Sequence, residues 1–140
     1  EKKKTNINIK KPYVMIIPGT SSRGLYKRWP SENYAEVARF LHKLNFSILV
    51  VGNNSDYNAT LPIFNSCPEV FNFLGKSPPS VLYHLAKEAN FIISNDTGPA
   101  LLVSLTNTPL LWIVNDNNIS LSNRPIGPKI YKISIMGNYK

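Results

Sequence analysis

Asn95, Asp96, Thr97, Gly98 and Pro99 stand in a row, after the apolar run Phe91 to Ile93 and Ser94, and before Ala100, Leu101, Leu102 and Val103. These residue types form ordinary surface turns. They equally suit a ligand site at the carboxyl end of a buried strand. In the second reading Pro99 opens a helix, and Asp96, Thr97 and the Gly98 backbone sit at its N-terminus, where the dipole and spare N–H groups favour an anion. A carboxylate among phosphate donors makes sense if it holds hydroxyls, so Asp96 beside Thr97 points to a phosphorylated sugar and thus to a sugar nucleotide.

Two other loops carry compatible chemistry. In "PGTSSRGLYKRWP" (18 to 30) the hydroxyls of Thr20, Ser21 and Ser22 lie between Gly19 and Gly24, and Lys27 and Arg28 precede Trp29. Small residues let the backbone approach an oxyanion, hydroxyls donate to it and a cation offsets its charge, so the loop suits a phosphate. A turn-rich connection without a ligand is the competing reading, with Trp29 as a lid on the core. In "VGNNSD" (51 to 56), Asp56 can accept from a ribose or sugar hydroxyl, or it can cap the helix that follows.

The elements that would position these loops follow from apolar patterning. The runs 13 to 17, 46 to 51, 70 to 74, 91 to 94 and 110 to 114 are apolar and β-branched enough to read as buried strands, and 131 to 135 reads as an edge strand. Between them, Ser31 can cap a helix through 44 whose apolar face is Tyr34, Val37, Ala38, Leu41 and Leu44. Ser77-Pro78-Pro79 opens another helix with Val81, Leu82, Leu85, Ala86 and Ala89 on one face. Segment 53 to 65 contains Pro62, which predicts a short or broken helix, and 99 to 106 a short one. Repeated β-α alternation implies a doubly wound, mostly parallel sheet with helices on both faces.

Charge and composition narrow the function classes. The formal charge is +8, but residues 1 to 11 hold five Lys and one Glu, residues 124 to 140 hold four Lys or Arg and no acid, and 12 to 123 balance seven against seven. The body is neutral, so the lysines read as solvated tails and not as a nucleic-acid surface. The basic ends do allow peripheral attraction to an anionic membrane. One cysteine, Cys67, rules out an internal disulfide and fits a reducing compartment. No run approaches the length of a membrane span, and the start lacks a signal-peptide core, so the chain reads as soluble. No Walker loop, dinucleotide fingerprint, Gly-x-Ser-x-Gly elbow or metal-ligand spacing of Cys and His is present. No cofactor or metal is expected. His42 and His84 fall on helices at solvated positions, and Glu32, Glu36, Glu69 and Glu88 read as surface acids.

Taken in order, "IIPGTSSRGLYKRWPSENYAEVAR", "ILVVGNNSD", "NFLGKSPPSVLYHLAKEANFIISNDTGPALLVS" and "NRPIGP" resemble the ADP-heptose:lipopolysaccharide heptosyltransferase family, glycosyltransferase family 9, from about 12 to 135. The most specific pieces are Lys27-x-Trp29-Pro30 and Asn95 to Pro99. The resemblance implies a Rossmann-like α/β fold, the C-terminal domain of a GT-B glycosyltransferase. Residues 1 to 11 would be a basic tail or linker and 12 to 140 the sugar-nucleotide-binding domain, with the N-terminal acceptor domain and its general base absent. By the same resemblance Thr20 and Ser21 contact the diphosphate, beside Ser22, and Lys27 pairs with the diphosphate or the sugar. Asp56 would hold the ribose, and Asp96, Thr97 and Gly98, with Pro99 behind them, would face the heptose and phosphates.

The implied activity is inverting, metal-independent transfer of heptose from ADP-heptose to the lipopolysaccharide inner core, on a lipid-linked acceptor at the cytoplasmic face of the inner membrane. Lys27 and Asp96 are the candidate catalytic residues, stabilising donor and leaving group, and the isolated domain would bind donor without catalysing transfer. One position departs from the family pattern: Leu101 stands where a His is usual, three residues after Gly98. This keeps open a related transferase using another nucleotide sugar, and a non-catalytic nucleotide- or anion-binding module.

Overall fold

The computed structural model describes residues 9–19, 29–95, 97–115 and 127–135. Six strands form one parallel sheet: β1 (Tyr13–Ile17), β2 (Ser47–Gly52), β3 (Phe71–Leu74), β4 (Phe91–Asn95), β5 (Leu110–Asn115) and β6 (Ile130–Ile135). Their order is β3-β2-β1-β4-β5-β6. The chain builds outward from β1 on one side, then crosses back to place β4 on its other side, which makes the gap between β1 and β4 the topological switch point.

Strand β1 shows why the sheet is doubly wound. Its five side chains are all buried, and they alternate between two cores. Tyr13, Met15 and Ile17 pack with Leu82, Leu85 and Ala86 of α3 (Pro79–Glu88) and Ala100 and Val103 of α4 (Gly98–Val103). Val14 and Ile16 pack with Tyr34, Ala35, Ala38 and Leu41 of α1 (Ser31–Lys43) and Ile63 of α2 (Tyr57–Ser66). A strand apolar on both faces has no solvent side, and only helices on both faces can cover it.

Three expectations need correction. Ser31 does not cap α1: Pro30 holds the cap position without a side-chain hydrogen bond, and its carbonyl accepts from the Asn33 and Tyr34 N–H groups at 2.9 and 3.3 Å. Pro is well suited there because its φ is already fixed and it gives up no needed donor. Leu44 is not part of the buried face, since the helix ends at Lys43 and Leu44 is exposed. The run 70 to 74 is not a buried strand: Phe71 and Asn72 are exposed because β3 lies at the sheet edge, while Val70 and Leu74 are buried.

The helix in segment 53 to 65, expected to be short or broken, is not broken at its proline, and the other elements form as expected. Pro62 sits inside α2 without ending it, at the cost of one intrahelical bond to the Asn58 carbonyl. A 3-10 turn, Asn54–Asp56, leads into that helix. The segment 131 to 135 is the outer strand β6. Among the described residues no helix is long and apolar enough to cross a membrane.

Depth in the sheet sets the cost of truncation. Ile16→Ala, at a fully buried central position, is expected to destabilise by about 2–5 kcal/mol. Phe71→Ala, on the half-open edge, is expected to cost no more than about 1 kcal/mol. Urea denaturation of both variants checks the contrast, and equal losses would contradict it.

Candidate active site

Strand ends bring the predicted loops together. A cleft of about 180 Å³ opens where β1, β2 and β4 end, lined by Ile17, Gly19, Gly52, Asp56, Thr97 and Pro99 among others. Of the predicted site residues, Asp56, Thr97 and Pro99 therefore share one cleft, and Gly98 is the exposed residue between the last two. Thr20, Ser21, Ser22, Lys27 and Asp96 lie outside the described residues.

Asp56 is 5% exposed, and its Oδ2 accepts the Asn53 N–H at 2.9 Å while its own N–H donates to the Asn53 carbonyl at 2.9 Å. The carboxylate thus closes the turn that starts the 54–56 segment. It stands at the N-cap of α2 but makes no side-chain cap hydrogen bond to that helix, so it does not cap the helix that follows as expected. It also lines the cleft. Two glycines give it room. A Cβ on Gly19 would overlap the Asp56 carboxyl, and one on Gly52 would lie 2.7 Å from its Oδ2. Backbone from β1 and β2 approaches this acid because neither position carries a side chain.

The Gly98 surroundings are the opposite case. A Cβ there would meet nothing within 4 Å. Pro99 has no N–H, and the Ala100 N–H is engaged by the Thr97 carbonyl at 3.1 Å. The donors this turn can direct at an anion are accordingly the Gly98 N–H and the Thr97 hydroxyl.

Asn95 received no role from the sequence beyond its place in the motif, yet it holds the site's frame. It is fully buried at the end of β4. Its Oδ1 accepts from the Trp29 N–H at 3.0 Å and the Tyr34 hydroxyl at 2.8 Å, and its Nδ2 donates to the Pro18 carbonyl at 2.6 Å. Two donors face the oxygen and one carbonyl faces the nitrogen, so the amide has a single satisfactory orientation. Pro18 and Trp29 are the two ends of the Ser/Thr-rich loop. Trp29 packs edge-to-face on Tyr34 with ring centroids 5.0 Å apart, which agrees with a lid on the core. Burial pushes the Tyr34 hydroxyl well above its usual range, so it stays a donor. The signal for Asn95 was its position, a polar residue ending a strand buried on both faces.

Asn95→Asp keeps the shape and removes the donor to Pro18. A carboxylate against that carbonyl is expected to cost about 2–4 kcal/mol at neutral pH. The folded state then favours the protonated acid, which raises its pKa, so the lost stability should return as pH falls through that value. Urea denaturation at neutral and acidic pH reads both effects; wild-type stability at neutral pH would show that the Pro18 bond carries little.

Comparison with known proteins bears on this geometry. The family model for glycosyltransferase family 9 (heptosyltransferase) matches residues 1–134. Lipopolysaccharide heptosyltransferase 2 of Escherichia coli (strain K12) is 23% identical over 139 residues, which are 96% of this chain and 39% of that protein. The structure of E. coli ADP-heptose lps heptosyltransferase II is similar with a TM-score of 0.80 and 22% identity, over 91% of this chain and 40% of that one. E. coli heptosyltransferase WaaC with ADP-2-deoxy-2-fluoro heptose gives 0.72 and 19%, over 87% and 36%. The chain thus spans about two fifths of the length of these relatives. The parallel six-stranded sheet matches the Rossmann-like fold expected from the motifs. With the family match running over nearly the whole chain, this protein belongs to glycosyltransferase family 9, the heptosyltransferases.

Proposed function

We propose that this chain is the donor-binding part of a heptosyltransferase, taking ADP-heptose and serving its transfer to the lipopolysaccharide inner core. The observation that carries the reading is the cleft at the carboxyl ends of β1, β2 and β4, where Gly19, Asp56 and Thr97 converge. A doubly wound sheet binds nucleotides at this kind of crevice. The WaaC structure with a fluorinated ADP-heptose, similar in fold, supports the same class of donor.

Each group then has a task. Thr20, Ser21 and Ser22 donate to the diphosphate, and Lys27 offsets its charge. Asp56, which both closes its turn and lines the cleft, takes the ribose side. Thr97 and the Gly98 N–H face the sugar phosphate, and Asp96 accepts from sugar hydroxyls. In the reaction an acceptor hydroxyl attacks the anomeric carbon from the face opposite the nucleotide, and the bond to the β-phosphate oxygen breaks. The centre inverts, the hydroxyl proton passes to a general base, and ADP leaves with the bonding pair. Lys27 and the loop N–H groups hold the charge that grows on the diphosphate, without calling on a metal. The base and the lipid-linked acceptor are assigned to the part of the relatives that this chain does not span. That places the work at the cytoplasmic face of the inner membrane, where the acceptor is anchored.

Leu101 favours a second reading. It is 39% exposed on α4, one turn from Gly98, and an alkyl chain there cannot hydrogen-bond to a donor sugar. A different nucleotide sugar then becomes the substrate of the same cleft.

Calorimetry with ADP, ADP-heptose and other sugar nucleotides separates these readings. Preference for ADP-heptose supports the first, preference for another sugar the second, and no binding to any of them would sink both. Lys27→Ala is expected to weaken diphosphate binding by about 1–3 kcal/mol, and unchanged affinity would remove Lys27 from the site. Gly98→Ala should leave folding intact, since its Cβ enters open space, while reducing donor affinity; full affinity would show that no phosphate approaches Gly98.

A further inference from the structure

Folding brings one potential ligand, His42, to a pair that is close in sequence, Cys67 and Glu69. His42 is in the last turn of α1, Cys67 ends α2, and Glu69 follows two residues later. Their donor atoms all lie within 4.8 Å of one another. His42 Nε2 is 3.9 Å from Glu69 Oε1, and Cys67 Sγ is 3.8 Å from the same oxygen. Tetrahedral zinc with ligand bonds of about 2.0–2.3 Å places its donors about 3.3–3.6 Å apart. Contraction by a few tenths of an ångström on the two measured edges, and by up to about 1.2–1.5 Å on the third, would enclose a cation.

We propose that His42, Cys67 and Glu69 bind a thiophilic divalent cation of the zinc class. Thiolate, imidazole and carboxylate together match that class better than magnesium or calcium, which take oxygen alone. The set is already shaped. Cys67 and Glu69 occupy a turn with Pro68 between them, closed by the Val70 N–H donating to the Cys67 carbonyl at 3.1 Å. Proline fixes the backbone at that corner, so two ligands stand in place before the ion arrives. Cys67 is buried against the α1 and α2 core, whereas His42 and Glu69 are exposed. The sulfur is thus anchored and the other two groups can close on the ion from the solvent side. Both α1 and α2 end here, and helix C-termini favour positive charge.

The cation enters by exchange. A metal ligand must be the thiolate, so binding releases the Cys67 thiol proton to solvent and leaves a metal thiolate. Three protein ligands leave a fourth position for water. Helices run against the strands in a parallel sheet, so these helix ends lie at the amino edge, away from the donor cleft. Such a cation ties the end of α1 to the turn before β3 and takes no part in the transfer. Without metal, the same atoms form a thiol and an imidazole around one surface carboxylate.

The test uses the full chain, treated with chelator and kept reduced, and titrated with Co²⁺ as a spectroscopic probe and Zn²⁺ as its competitor. One equivalent of Co²⁺ should produce a thiolate-to-metal charge-transfer band, and Zn²⁺ should displace it. His42→Ala and Glu69→Ala, both at exposed positions, should each weaken Co²⁺ binding at least tenfold, and Cys67→Ser should remove the band. His84→Ala should change nothing. Absence of the band in the parent chain would overturn the site. So would a band whose midpoint is the same in His42→Ala and Glu69→Ala, because the thiol alone would then be the ligand.

Discussion

The cleft at the strand ends depends on one buried amide. Asn95 reaches from the end of β4 to the Pro18 carbonyl, the Trp29 N–H and the Tyr34 hydroxyl, so it fixes where the Ser/Thr-rich loop departs from the sheet and where it returns to α1. These partners are 61 to 77 residues away in sequence. The loop's entry and exit are thereby referred to β4, the strand that precedes Thr97 and Gly98 in the chain. Two walls of the cleft share a single datum, and catalysis by positioning requires that kind of common reference. The cost of a polar group in the core is met by satisfying three of its four hydrogen-bonding sites.

What could be read from the residues, and what could not, divides along physical lines. Apolar runs mark strands whatever their neighbours are, so every strand and helix was anticipated from the chain. Burial on the edges was not, because Phe71 and Asn72 look like core residues until the order of the sheet puts β3 outermost. The cap of α1 was misassigned to Ser31, since a serine before a helical run satisfies the usual rule while Pro30 satisfies the geometry. That Asp56, Thr97 and Pro99 would line one cleft was legible because loops after parallel strands must gather at one edge. Asn95 was not, since its function is set by groups that only the fold brings near. The same holds for His42 with Cys67, which no local spacing relates.

The sheet also separates two kinds of chemistry. Its carboxyl edge presents small residues, hydroxyls and backbone donors suited to an anion, beside the one carboxylate of Asp56. Its amino edge gathers helix ends, a thiol, an imidazole and a carboxylate, all suited to a cation. The polarity of the β-α unit itself produces this division, because each helix gives its positive end to one edge and its negative end to the other.

Gly19 and Gly52 both lie against the Asp56 carboxyl, and this links the three positions in their mutational freedom. While the acid is present, neither glycine can accept even a methyl group without displacing it. Once the acid is shortened, Gly19 gains room, whereas Gly52 stays restricted by its φ of +157° and by Leu74, 3.2 Å from where its Cβ would lie. A substitution harmful in one background thus becomes tolerable in another, and the order in which changes arise decides which are open to the lineage. Gly19 and Asp56 are in that sense an epistatic pair, whose members can drift only together.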